Sequence, residues 1–207
     1  MFAQVIDGTI TSFPKGNKGI QIGDYKYPKA IYSLWTEEER NAIGIYTVII
    51  DNTNCKDQTF YINTDQTYTF DEEADTVTAT YGTATAKAIA DVNAVDEDGE
   101  ALLDSDGNQI VNYGLKTKYK NQFNLQAAGL LLPTDWYVVK ATEVSDYSVP
   151  SAITTYRAAV RTKVNAMETA IDGCANVEAL ITLLTYETDS DGNVTSRPLG
   201  EFPNEVI

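Results

Sequence analysis

The sequence predicts an α+β fold, an N-terminal β-rich module followed by a helical C-terminal module. Three observations predict it. Residues 1–92 hold short runs of Ile, Val, Thr and Tyr bounded by Gly, Asp and Asn, a composition suited to a pleated, half-buried surface. Residues 115–187 repeat apolar side chains at spacings of three and four, the helical period. Between them, residues 93–114 are acidic and rich in turn residues and read as a connector. Residues 188–207 are polar, carry Pro198 and Pro203, and read as an exposed C-terminal arm.

In the first module, Phe2–Ile6 and Thr9–Phe13 flank Asp7-Gly8, a strong two-residue hairpin signal. Thr36-Glu37-Glu38-Glu39 predicts a capping box, with the Thr36 hydroxyl and the Glu39 carboxylate satisfying each other's backbone N–H. The acidic first turn suits the positive end of the helix dipole. Gly44 is expected to close that short helix as the residue after its C-cap. Strands are expected over Ile45–Asp51, Gln58–Phe70 and Thr76–Tyr81. The stretch 84–92 is open between helix and strand, because its alanines favour a helix and its periodicity decides nothing. A further hairpin is expected at Asp104–Asn108.

The helical module opens with an amphipathic stretch, Leu115 to Leu131. Pro133 interrupts it, and Thr134 or Asp135 can cap a short helix carrying Trp136, Tyr137 and Val139. Pro150 suits the start of a long helix. There Ile153, Tyr156, Val160, Val164, Met167 and Ile171 fall on one stripe, and Gly173 ends it. Asn176 can cap a last helix bearing Val177, Leu180, Ile181 and Leu184. Arg157 and Arg161 lie four apart beside the stripe. They can grip carboxylates or simply lay their stems along the apolar face.

Composition narrows the function. The 207 residues carry a net charge of −15 with a pI near 4.2. That sign opposes phosphate neutralisation, so neither nucleic acid nor an anionic membrane is an expected partner. No apolar run is long enough to span a bilayer, and Met1–Gly8 lacks the basic and apolar regions of a secretory signal. Histidine is absent, which excludes Ser-His-Asp and Cys-His mechanisms and imidazole metal ligands. Cys55 and Cys174 form no CxxC pattern. Asp-Ser-Asp-Gly-Asn occurs at Asp104 and again at Asp189, but lacks the sixth-position Gly and twelfth-position Glu of a calcium loop and reads as a turn. Glu37–Glu39 and Asp71–Glu73 read as solvated charge, and the Gly16–Gly19 loop lacks a phosphate-loop pattern. The expectation is a non-enzyme with no catalytic residue, metal or cofactor. Thirteen Tyr, six Phe and two Trp favour protein interfaces, since such side chains bury much area at low entropic cost.

One segment carries a resemblance. Leu130-Leu131-Leu132-Pro133-Thr134-Asp135-Trp136, then Val149-Pro150, then Tyr156-Arg157-Ala158-Ala159-Val160-Arg161 resembles the C-terminal segment of phage tail-fibre-assembly and tail-assembly-chaperone-like proteins. Their pattern is close to L-L-x-x-T-D-W, a polar link, Pro, and Y-R-x-x-[LV]-R. The resemblance spans residues 115–165. It implies a non-enzymatic protein that helps a trimeric tail fibre fold or assemble, working in the host cytoplasm and in some cases staying on the virion. The implied partner is a tail fibre or another tail structural protein. A permanent tail or baseplate component is the alternative, and a carboxylate-based hydrolase the more distant one. A homo-oligomer is left open. The resemblance singles out Leu131, Thr134, Asp135, Trp136, Tyr137, Tyr156, Arg157 and Arg161 as a partner-binding or fold-forming motif. Physically, Asp135 can pair with Arg157 or Arg161, and Trp136 can pack on the long helix near Tyr156 and Val160.

Overall fold

Asp7 and Gly8 adopt φ of 49° and 74°, the double left-handed geometry whose twist matches a hairpin. In the computed structural model, which describes residues 1–205, they join β1 (Phe2–Ile6) to β2 (Thr9–Ser12) in antiparallel register, with a bulge at Gln4/Val5. The chain forms two compact units, Met1–Thr85 and Ala86–Ile207. The first is rich in strands and the second carries the long helices, so the α+β class holds.

In the first unit β3 (Ile20–Ile22) and β4 (Tyr25–Tyr27) make a separate small hairpin. Two short helices follow, α1 (Ile31–Leu34) and α2 (Glu37–Asn41). The expected capping box is present. The Glu39 N–H donates to the Thr36 hydroxyl at 3.2 Å, and the Thr36 N–H donates to the Glu39 carboxylate at 2.8 Å. Gly44 does not close the helix as expected, because α2 ends at the Ala42 cap two residues earlier. Gly44 serves the sheet instead. Its φ is 77°, a Cβ there would run into the Val5 carbonyl, and its own carbonyl accepts from the Val5 N–H at 2.8 Å.

Four more strands belong to this unit: β5 (Ile45–Asp51), β6 (Tyr61–Ile62), β7 (Gln66–Asp71) and β8 (Thr76–Tyr81). The main sheet has the order β2-β1-β5-β8-β7. All its pairings are antiparallel except β5–β8, which is parallel. Side chains alternate between faces along a strand. The register therefore puts Ala3 opposite Tyr46, Val48 opposite Val77, and Ala79 opposite Tyr68. Ala3, Val5, Tyr46, Val48, Val77 and Ala79 form a buried cluster, with Ile10, Tyr68 and Phe70 packed against it. The single strand expected over 58–70 is broken. The Asp57 carboxylate accepts from the Thr59 N–H at 2.8 Å and turns the chain before β6, and the main ladder resumes only at Gln66. The 84–92 stretch forms no helix; it contains only β9 (Thr85–Ala86) and the first residue of β10 (Val92–Asn93).

The turn between β7 and β8 is anchored by Asp75, a non-glycine residue with φ of 54°. Its carboxylate accepts from the Tyr46 hydroxyl at 2.8 Å and from the Asn41 amide at 3.0 Å. Burial, and then the hydrogen bond and charge of Asp75, push the Tyr46 hydroxyl up to about 12.

The second unit continues with β11 (Val111–Asn112), antiparallel to β10, and α3 (Leu115–Leu131). The stretch 93–114, expected as an acidic turn and hairpin connector, thus belongs to the second unit. The helix N-terminus explains why. Gly114 offers α3 no capping side chain, and a helix start leaves backbone donors unsatisfied. The Leu115 and Lys116 N–H groups donate to the carbonyls of Ala88 and Ile89, both at 3.0 Å, and the Gly114 N–H donates to Asp91 at 2.8 Å. After a 3₁₀ turn, Leu132–Thr134, come α4 (Asp135–Glu143), α5 (Ser151–Asp172) and α6 (Val177–Leu184). All six residues of the expected α5 stripe are buried. Asn176 caps α6, accepting from the Ala179 N–H at 2.8 Å.

Helices α3 and α5 run antiparallel. Lys120 meets Asp172 at 2.9 Å, Asn124 meets Glu168 at 2.6 Å, and the end of α3 reaches Tyr156 and Arg157 near the start of α5. Ala127, Tyr156, Val160 and Val164 form the core between them. The expected exposed C-terminal arm is exposed over residues 188–195 but folds and then packs back on the unit. β12 (Glu187–Thr188) and β13 (Val194–Ser196) form a hairpin. Beyond it Leu199 is buried and its carbonyl accepts from Lys163 at 2.9 Å, while Phe202 packs on the α3–α5 core. Apolar Leu199 and Phe202 outweigh the polar character of the segment. Val206 and Ile207 lie outside the described residues.

Replacing Gly44 with Ala combines a positive φ with a clash on the Val5 carbonyl, and should destabilise the first unit by about 2 kcal/mol or more; urea unfolding measures it. The raised Tyr46 hydroxyl means that the fold favours its neutral form. Its stabilising contribution is complete below pH 10 and is lost as the pH rises through about 12. Alkaline unfolding followed by circular dichroism should show this component in the native chain and not in Tyr46→Phe.

Candidate functional site

The motif residues divide into a buried half and an exposed half. Arg157 is buried on α5, and one guanidinium nitrogen reaches three acceptors. It donates to the Leu131 carbonyl at 3.0 Å, to the Thr134 hydroxyl, and to the Asp135 carboxylate at 2.8 Å. Thr134 is fully buried, and its hydroxyl donates in turn to the Leu131 carbonyl at 2.7 Å. Tyr156 is also buried, and its hydroxyl donates to the Leu130 carbonyl at 3.3 Å. Burial, and then the Glu205 carboxylate, push that hydroxyl up and keep it a donor. A helix end leaves carbonyls without intrahelical partners. Here two side chains of α5 satisfy the carbonyls of Leu130 and Leu131 at the end of α3, and so lock the turn that follows.

The expected Asp135–Arg157 pair is therefore present. The expected side-chain cap is not. Thr134 occupies the N-cap position of α4 but makes no capping bond, because its hydroxyl is committed to Leu131 and Arg157. Arg161 does not join the cluster. It is exposed, has no hydrogen bond or ion pair among the described residues, and lines a shallow cleft of about 300 Å³ with Val138, Val149, Thr154 and Arg157.

Trp136 is the main correction. It does not pack on the long helix near Tyr156 and Val160. It is 51% exposed and stacks on Tyr137 at 3.8 Å between ring centroids. Lys140 lies over both the Trp136 ring, at 5.9 Å, and the Tyr147 ring, at 4.4 Å. The physical reason lies in the turn. Asp135, half exposed, faces Arg157, so the next residue on the helix is carried round toward solvent. Leu132, Val138 and Val139 are exposed as well. Helix α4 buries none of its nine residues. Nothing in the T-D-W spacing told which way the indole would point.

Other candidates resolve as structure. The Asp104 carboxylate accepts from the Asp106 and Asn108 N–H groups at 2.9 and 2.8 Å, and Asp189 accepts from Asp191 and Asn193 at 3.0 and 2.8 Å. Hydrogen bonds from Asn108 and Asn193, foremost, hold the two carboxyls below their ordinary range. Both sites are therefore turns. Cys55 is exposed and Cys174 buried, and both are free thiols. Among the described residues no helix is long and apolar enough to cross a membrane.

Arg157→Met should cost about 2 kcal/mol, because it removes the donor to the buried Thr134 hydroxyl and one of the two donors to the partly buried Leu131 carbonyl. Asp135→Asn should cost less than about 1 kcal/mol, since its carboxylate is half exposed. Chemical denaturation of the two variants tests this order. Equal losses would mean that the ion pair, rather than the bond to the Leu131 carbonyl, holds the turn.

No protein-family model, no curated protein and no solved structure matches this chain.

Proposed function

We propose that this chain is a non-enzymatic bacteriophage protein that binds a tail fibre and assists its assembly, with the exposed face of α4 as a contact surface. One observation carries the reading. A nine-residue helix is too short to be stable by itself in water, yet α4 buries none of its residues and exposes Trp136, Val138 and Val139. Such a helix is held from behind by the Arg157 cluster and offers an aromatic and aliphatic surface in front. Stacked Trp and Tyr are the side chains that most often dominate binding energy at protein interfaces. The resemblance of this segment to tail-fibre-assembly proteins supports a tail fibre as the partner. Binding would cover apolar fibre surface that otherwise leads to aggregation.

Co-expression with a tail-fibre protein of the same genome tests the proposal. Soluble, trimeric fibre should fall several-fold when the chain is omitted. It should fall comparably with Trp136→Ala/Tyr137→Ala, a change expected to weaken binding by about 2–4 kcal/mol while leaving the Arg157 cluster intact. Fibre that is equally soluble and trimeric in the absence of the chain would end the reading.

A further inference from the structure

Residues 91–114 fall into three blocks of eight: D-V-N-A-V-D-E-D, G-E-A-L-L-D-S-D and G-N-Q-I-V-N-Y-G. Each block has an apolar pair at its fourth and fifth positions: Ala94-Val95, Leu102-Leu103 and Ile110-Val111. The backbone repeats with the same step. The Ala94 N–H donates to the Ile110 carbonyl at 2.8 Å, Ile110 to Leu102 at 2.8 Å, and Leu102 to Ala94 at 2.9 Å. These three bonds close a ring. The strand pairings obey the same rotation: Val95 opposes Ala101, Leu103 opposes Gln109, and Val111 opposes Asn93. Advancing eight residues turns each pair into the next, and the third step returns to the first. The segment is a pseudo-threefold pinwheel made from one chain.

Two devices hold it. Asp96 and Asp104 each accept two backbone N–H groups of the turn that follows, at 2.8–3.0 Å, and Gly99 and Gly107 adopt φ of 84° and 83°. The Gln109 side-chain amide lies 2.8, 3.1 and 2.9 Å from the carbonyls of Ala94, Leu102 and Ile110. An axis has room for one such side chain, and the equivalent positions hold the shorter Asn93 and Ala101.

We propose that this pinwheel docks on the threefold axis at one end of a homotrimeric partner, presenting Val95, Leu103 and Val111 to the three identical subunits. The proposal rests on the tail-fibre reading above, with the fibre as the trimer. Those three side chains are symmetry-equivalent and 54%, 55% and 37% exposed. Three equivalent apolar contacts fit a surface that repeats three times about an axis. Charge defines the rest of the partner. The first block holds four carboxylates, the second three, and no block holds Lys or Arg. The trimer end should therefore be apolar at its centre and rimmed with Lys or Arg. A second copy of this chain, at net charge −15, is repelled by the same field.

The test uses the full chain and a trimeric tail-fibre protein of the same genome, with stoichiometry from native mass spectrometry and affinity from calorimetry. One chain per trimer is expected. Val95→Asp/Leu103→Asp/Val111→Asp should weaken binding by about 100-fold. Glu97→Gln/Asp98→Asn/Asp106→Asn, whose changed side chains hold no bond of the ring, should weaken it about 10-fold and flatten its salt dependence; this variant keeps the test decisive if the first fails to fold. Three chains per trimer, or undiminished binding by the folded variants, would overturn axial docking. If Trp136→Ala/Tyr137→Ala still abolished that binding, the fibre reading would survive. No binding by the native chain would remove both. A self-associated chain with its pinwheel buried between copies would overturn the proposal as well.

Discussion

The Arg157 guanidinium is the constraint around which the second unit is arranged. A buried cation is costly unless its hydrogen bonds are met, and this one meets them at a helix end that is itself short of donors. Two deficits cancel: the carbonyls ending α3 need N–H groups, and the guanidinium needs oxygens. The exchange fixes the angle at which the chain leaves α3, and with it the direction of α4. The exposed Trp136–Tyr137 stack is thus placed by residues that never touch it. Tyr156 makes the same kind of bond one residue earlier, so a single turn of α5 holds both carbonyls.

The first unit relies on a different solution. One sheet face carries its main apolar cluster, with Ile31 and Ile45 buried apart from it, and its irregular features secure the turns. Gly44 lets the loop lie against β1, while Asp75 draws together Tyr46 from β5 and Asn41 from α2. In both units, polar side chains with several partners fix loops that apolar packing alone leaves undetermined.

Much of this was legible in the residues. Asp7-Gly8 specified its hairpin, Thr36 and Glu39 their capping box, Asn176 its helix start, and the stripe from Ile153 to Ile171 its buried face. Each of these signals is local, so spacing alone carries it. The failures are mostly non-local, the turn that Asp57 makes with Thr59 being the local exception. Asp57 interrupts a run with strand composition. Whether Arg157 is buried depends on carbonyls 26 residues away in sequence. Trp136 looks like a core residue until the ion pair beside it sets the helix face. The pinwheel shows in the sequence only as a connector with a hairpin at Asp104–Asn108, because the ring that closes it joins three blocks at once.

The parallel seam between β5 and β8 bears on how the sheet assembles. β1–β2 and β7–β8 are ribbons whose ends are joined by short turns, so each closes at small entropic cost. Val48 meets Val77 only after the whole intervening segment has been looped out, and that cost precedes any reward. This seam and the β1–β5 pairing, which also joins strands far apart in sequence, are therefore expected to be the last joins made during folding. By the same reasoning they are the first places where the sheet would come apart, leaving the β1–β2 and β7–β8 ribbons on either side of β5.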